Sequence, residues 1–130
     1  MPRLLFHRDA EADLAQLAQS EPKLAARLYG LLKEVQADKV LLEMLTVHDF
    51  GAVGRDVFHV SRWQEHWRQD KDIWRLKFWE LDRRGLLYRV IYALKRGTGD
   101  HYVLAVAHRD FNYDPNHPTT QRILRAYEEL

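Results

Sequence analysis

Arg89 sits in the middle of Leu87-Tyr88-Arg89-Val90-Ile91-Tyr92, a run that otherwise has the composition of a buried strand. An unpaired cation is costly to desolvate there. Arg89 therefore either meets a carboxylate inside the fold or faces an open groove where a charge has a use, and the sequence leaves both open. Alternation along Ile73 to Glu80 puts Arg75, Lys77 and Trp79 on one face and Trp74, Leu76 and Phe78 on the other. If Arg89 shares the first face, cations from separate strands converge. His108-Arg109, Tyr113 and His117 follow the next apolar run, which clusters ionisable groups where a strand leaves its sheet, a common position for function. Between residues 62 and 96, ten basic side chains outnumber five acidic ones and are interleaved with Trp63, Trp67, Trp74, Trp79, Tyr88 and Tyr92. Cations suit a phosphate backbone and aromatic faces suit unstacked bases. A solvated strand face over an aromatic core has the same composition, so the pattern alone does not decide.

The elements that must position these groups are legible in outline. Pro2 to His7 holds Leu4, Leu5 and Phe6 in a run too short for a helix and is expected to be a strand. Asp9 looks like a helix N-cap, and Ala10, Leu14, Leu17 and Ala18 follow at helical spacing. Ser20-Glu21-Pro22 stops that helix and starts another, whose stripe is Leu24, Leu28, Leu31, Leu32 and Val35, with a continuation or restart through Val40 to Leu45. Residues 46–72, with two glycines, three histidines and no sustained period, are expected to be a long connector. Three strands should follow, at 73–80, 86–94 and 101–108, separated by turn chemistry in Asp82-Arg83-Arg84-Gly85 and Gly97-Thr98-Gly99-Asp100. Pro115 to Pro118 then leads into a terminal helix through Ile123, Leu124, Tyr127 and Leu130. The expected fold is α+β: an N-terminal strand, a helical hairpin, a three-stranded antiparallel meander and a C-terminal helix, in the order β-α-α-β-β-β-α.

Composition narrows the function classes. At 130 residues the chain is expected to be one domain, 1–130. It contains no Cys, which removes disulfides, thiolate nucleophiles and thiolate metal sites and fits the cytoplasm. No apolar stretch approaches the ~20 residues that span a bilayer, and the first residues lack a signal-peptide core. The net charge is only +1, but residues 1–60 carry nine acidic and seven basic side chains, and residues 61–130 ten acidic and thirteen basic. The cations thus concentrate where the candidate chemistry lies.

Taken together, Ile73-Trp74-Arg75-Leu76-Lys77, Leu87-Tyr88-Arg89-Val90-Ile91-Tyr92 and Val106-Ala107-His108-Arg109 with Tyr113 resemble the RelE/ParE superfamily of bacterial type II toxins. The element order extends the likeness over most of the chain, while the specific motifs lie in residues 73–113. The resemblance implies a small toxin whose RelE-like members cut messenger RNA, typically in the ribosomal A site, and which an acidic antitoxin neutralises by wrapping around it. Arg75 and Lys77 match the family's basic positions on the second strand, Arg89 the arginine of the third, and Arg109 the arginine after the fourth. Tyr113 matches the tyrosine of the HRxxxY form of the motif. The chain departs from the pattern in the length of residues 46–72 and in Asp110, Asp114 and the Pro115 to Pro118 segment, which bear on ribosome docking.

The implied chemistry is attack of an RNA 2′-hydroxyl on the adjacent phosphorus, which needs a base, a donor for the leaving 5′ oxygen and cations for the growing charge, and calls for no metal or other cofactor. Arg75, Arg89 and Arg109 are the candidates for holding the phosphate, and Lys77 or His108 for the base. Tyr113 is placed to donate a proton or to stack on a base. Trp79 and His117 complete the candidate substrate-binding set, His117 as the lesser of the two histidines. Two alternatives share the fold: a ParE-like inhibitor of DNA gyrase, and a non-catalytic binding module in which Arg89 is a structural ion pair. Metal binding is weakly signalled, because His59/His66 and His101/His108 lie seven residues apart without a Cys or an HExxH pattern. The glycines form no phosphate-binding loop.

Overall fold

The computed structural model describes residues 2–130. Its elements, in chain order, are β1 (Leu4–Phe6), α1 (Arg8–Ser20), α2 (Pro22–Ala37), α3 (Lys39–Met44), β2 (Phe58–Arg62), α4 (Gln64–Trp67), β3 (Ile73–Phe78), α5 (Trp79–Asp82), β4 (Tyr88–Lys95), β5 (Asp100–His108), a 3₁₀ turn (Arg109–Phe111) and α6 (Pro118–Glu128). The fold is α+β, built on one five-stranded sheet of order β1-β5-β4-β3-β2. β1 runs parallel to β5, and every other pair is antiparallel. Among the described residues no helix is long and apolar enough to cross a membrane.

Two boundaries differ from the sequence expectation for local reasons. Helix α1 begins one residue before Asp9, because the His7 imidazole is the cap: its Nδ1 accepts the Asp9 amide at 3.1 Å. Asp9 and Glu11 instead fall in the first turn, where their charge complements the exposed amides. Trp79 leaves the alternation of β3 and opens the one-turn helix α5, with its indole Nε1 donating to the Gly51 carbonyl at 2.8 Å.

The larger correction concerns residues 46–72, which are not a plain connector. They contain β2 and α4, so the antiparallel part of the sheet has four strands rather than three. β2 pairs with β3 through Phe58↔Phe78, Val60↔Leu76 and Arg62↔Trp74, and Phe58 and Val60 are fully buried. The preceding loop is tied down by Asp49 N–H to the Val60 carbonyl and Val60 N–H to the Phe50 carbonyl, each at 2.9 Å. Gly51 makes that close approach feasible: its φ is +77°, and a Cβ would stand 1.9 Å from the Phe58 carbonyl oxygen.

The sheet has two covered faces. One buries Trp74, Leu76, Phe78, Val90, Tyr92, Val103 and Val106 against the stripes of α1, α2 and α3. The other buries Ile73, Ile91, Ala93, Leu104 and Ala105 against Ile123 and Ala126 of α6 and against Trp63 and Phe111. Asp13 fastens both layers, taking a two-pronged hydrogen bond from Arg122 of α6 at 2.7 and 2.9 Å and the Val106 amide at 2.9 Å. On this face helix α6 packs mainly over β5. The β3 and β4 residues that follow the same parity beyond it are Arg75, Lys77 and Arg89.

Candidate functional site

A hollow of about 640 Å³ occupies this uncovered part of the sheet, lined by His59, Ser61, Arg75, Leu76, Lys77, Arg89, Arg109, Asp110, Asn112 and Tyr113. Strand register explains the convergence. His59 pairs with Lys77 and Ser61 with Arg75 across β2 and β3, while Arg89 stands one position beyond the Leu76↔Val90 pair, beside Lys77. Its β5 partner is Ala107, whose small side chain adds no bulk to that row. Arg109 and Tyr113 reach over from the turn that follows β5.

The electrostatics keep the hollow cationic. Both alternatives for Arg89 hold: it donates to Asp82 Oδ1 at 3.1 Å and it also lines the open hollow. Asp82 shares its other oxygen with Lys77 at 3.6 Å, so one carboxylate serves two cations. The Lys77 ammonium additionally lies 4.5 Å from the centre of the Trp79 ring. Carboxylate and ring together fix the position of the ammonium. Arg75 and Arg109 form no ion pair among the described residues, and Asp110 is the single carboxylate in the lining.

Tyr113 is held with unusual care. Asn112 and Tyr113 both take left-handed backbone angles, φ +50° and +55°, which cost about 1–3 kcal/mol each for residues with side chains. An aromatic residue in this region is an outlier that its surroundings must enforce. They do so through the edge of Trp63 at 5.0 Å, the Phe111 ring at 4.6 Å and the Arg75 guanidinium over the ring face at 4.5 Å. Burial raises the phenol's pKa above its usual value, an effect that Arg75 and Arg89 oppose in part. Tyr113 is therefore a neutral hydroxyl at physiological pH, with two guanidiniums acting on it. Helix α4 supports this arrangement from behind, since buried His66 sets its ring edge against Trp63 at 4.5 Å.

The structure thus brings Arg75, Lys77, Arg89, Arg109 and Tyr113 to one hollow. It places His108 elsewhere. That side chain shares the opposite sheet face with its partner Tyr88, ring centres 5.2 Å apart, and its Nδ1 accepts the Asp110 amide at 3.1 Å as the cap of the 3₁₀ turn. His117 is likewise a cap, accepting the Thr119 amide at 3.0 Å at the start of α6, and is not in the lining. Trp79 is not in the lining either; its ring is parallel to that of His59, with centres 6.0 Å apart. Two residues of the hollow, His59 and Ser61, lie within the stretch expected to be a connector. A period-two signal was present in Phe58-His59-Val60-Ser61, but it offers only two apolar positions, because its outward residues serve the hollow rather than a core. Comparison of the chain with protein-family models, curated proteins and solved structures gives no match.

Proposed function

We propose that this chain is a metal-independent endoribonuclease of the RelE-like toxin type, cutting messenger RNA in the cytoplasm, in association with the ribosome. The observation that carries the reading is the convergence of Arg75, Lys77, Arg89, Arg109 and Tyr113 on a single solvent-open hollow. The sheet supplies fixed cations for a phosphate whose negative charge grows as the 2′ oxygen attacks, and such preorganised groups stabilise a transition state more than mobile water does. The neutral Tyr113 phenol is a donor for the leaving 5′ oxygen. The hollow offers cations for the scissile phosphate and, in Tyr113, an aromatic ring for a neighbouring base. The α+β class and the five-stranded sheet support this reading, in which β2 and the short helices are additions to a RelE-like order. An acidic antitoxin segment that folds on binding is the partner such a cationic hollow would accept.

The test is incubation of the purified protein with translating ribosomes, followed by mapping of RNA ends. Wild-type protein should leave 2′,3′-cyclic phosphate and 5′-hydroxyl ends. Arg89→Ala and Arg109→Ala should each reduce cutting on the order of 10²- to 10³-fold. Arg109 is exposed and free of ion pairs among the described residues, so its variant separates chemistry from folding. Intact RNA with wild-type protein, or unchanged cutting in both variants, rejects the proposal. Inhibition of gyrase supercoiling alongside intact RNA would favour the ParE-like alternative.

A further inference from the structure

The hollow has cations and a proton donor, but neither of the bases expected from sequence serves it: His108 is on the other sheet face, and Lys77 is held by Asp82 and Trp79. We infer that His59 is the general base and that Asp49 is the residue that positions it. This rests on the nuclease reading and completes it.

His59 is the imidazole that lines the hollow. It stands on β2 directly across from Lys77, with Arg75 two positions along, opposite Ser61. Trp79 lies parallel to its ring on one side, at 6.0 Å between centres. Its Nε2 is 3.4 Å from Asp49 Oδ1. An imidazole that gives its Nε2 proton to a carboxylate has the other nitrogen, Nδ1, as its acceptor, which is the tautomer a base requires. Asp49 is fixed in turn. Its amide donates to the Val60 carbonyl at 2.9 Å, and its Oδ2 lies 3.5 Å from His48 Nε2. The His48 ring is itself oriented, because its Nδ1 accepts the Arg62 amide at 3.0 Å. Both oxygens of the carboxylate thus face imidazoles, and the loop that holds it also holds the end of β2. The φ of Asp49 is +65°, a left-handed conformation that Asp and Asn tolerate better than other side chains. The groups facing His59 are therefore Asp49 from the loop, Lys77 from β3 and the Trp79 ring from α5.

The step balances as follows. Nδ1 of His59 takes the proton of the RNA 2′-hydroxyl while the 2′ oxygen forms its bond to phosphorus. The bond from phosphorus to the 5′ oxygen breaks with its electron pair on that oxygen, which takes the Tyr113 phenol proton. The imidazolium then returns its proton through solvent to the phenolate. The products are a 2′,3′-cyclic phosphate and a 5′-hydroxyl, and no external reactant is consumed.

Single-turnover and steady-state cutting of ribosome-bound messenger RNA should be measured for His59→Ala, His59→Gln and Asp49→Asn, with urea unfolding as the control for folding. Both His59 variants should lose on the order of 10²- to 10⁴-fold in kcat. Added imidazole should restore part of the His59→Ala rate in proportion to its free-base form. Asp49→Asn, which keeps the tolerated backbone angle, should lower kcat and leave KM unchanged. Undiminished cutting by folded His59 variants overturns the assignment and leaves the nuclease reading standing. A loss that falls wholly on KM and does not respond to imidazole overturns it too. RNA left intact by the wild-type protein overturns both.

Discussion

At the scale of single residues, the hollow separates two uses of one amino-acid type. Arg89 is mostly enclosed and tied to Asp82, so its charge is fixed in direction, whereas Arg109 stands exposed at the rim. Tyr113 is the residue whose role can be isolated with least disturbance. Its ring is gripped by Trp63, Phe111 and Arg75, and Tyr113→Phe retains all three contacts while removing the hydroxyl. Cutting should fall on the order of 10²-fold or more if the phenol is the proton donor. The urea midpoint should move little, because a neutral hydroxyl on a partly exposed residue contributes about 1 kcal/mol. RNA binding, read with an oligonucleotide lacking the scissile 2′-hydroxyl, should stay the same, since stacking uses the ring alone. Equal cutting by Tyr113→Phe would reduce Tyr113 to a stacking platform.

At the scale of elements, the site depends on the stretch that looked least structured in sequence. The periodic elements were legible because their apolar spacing reports a buried face: the α2 stripe Leu24, Leu28, Leu31, Leu32 and Val35 is buried throughout, and the alternation of β3 puts Trp74, Leu76 and Phe78 inside, as expected. β2 was not legible because an edge strand with one functional face shows half of an apolar pattern, over five residues. Its place is set by long-range pairing with β3 and by a loop conformation that no local propensity announces. The same reasoning explains His108 and His117, whose position after a strand and before a proline resembled a site but whose imidazoles cap the backbone instead. Gly51 is the single position that most directly tests this dependence. Gly51→Ala sets a Cβ against the Phe58 carbonyl and forces a side chain into φ +77°. We expect a loss of at least about 2 kcal/mol in urea unfolding, and a fall in cutting larger than that of a comparably destabilising change in α1, because the loop carries Asp49 and adjoins His59. A fully stable and active Gly51→Ala protein would show that the loop does not hold β2.

At the scale of the whole molecule, the packing on the two sheet faces leaves two imidazoles inside. His66 and His101 are buried, and neither ring has a hydrogen-bond partner among the described residues. Burial lowers the pKa of each, outweighing the acidic neighbours Glu65, Asp100 and Asp72 that act the other way. The sign of the resulting pH dependence follows from linkage. With folded-state values below the unfolded value of about 6.5, the unfolded chain binds more protons than the folded one in the interval between them, so stability falls as pH is lowered through that interval. Above about pH 6.5 both states hold neutral rings and the full contribution is present. Each histidine steepens the slope by at most about 1.4 kcal/mol per pH unit. Urea midpoints measured from pH 7.5 down to pH 5 should decline. His101→Phe should flatten the decline, since Phe keeps the ring packing near Tyr92 and has no proton to gain. An equally steep decline in His101→Phe and in the matching His66→Phe would place the acid sensitivity elsewhere, in carboxylates such as Asp100 and Asp70, whose pKa values Arg3 and Arg96 hold down, and these would act at lower pH than the imidazoles.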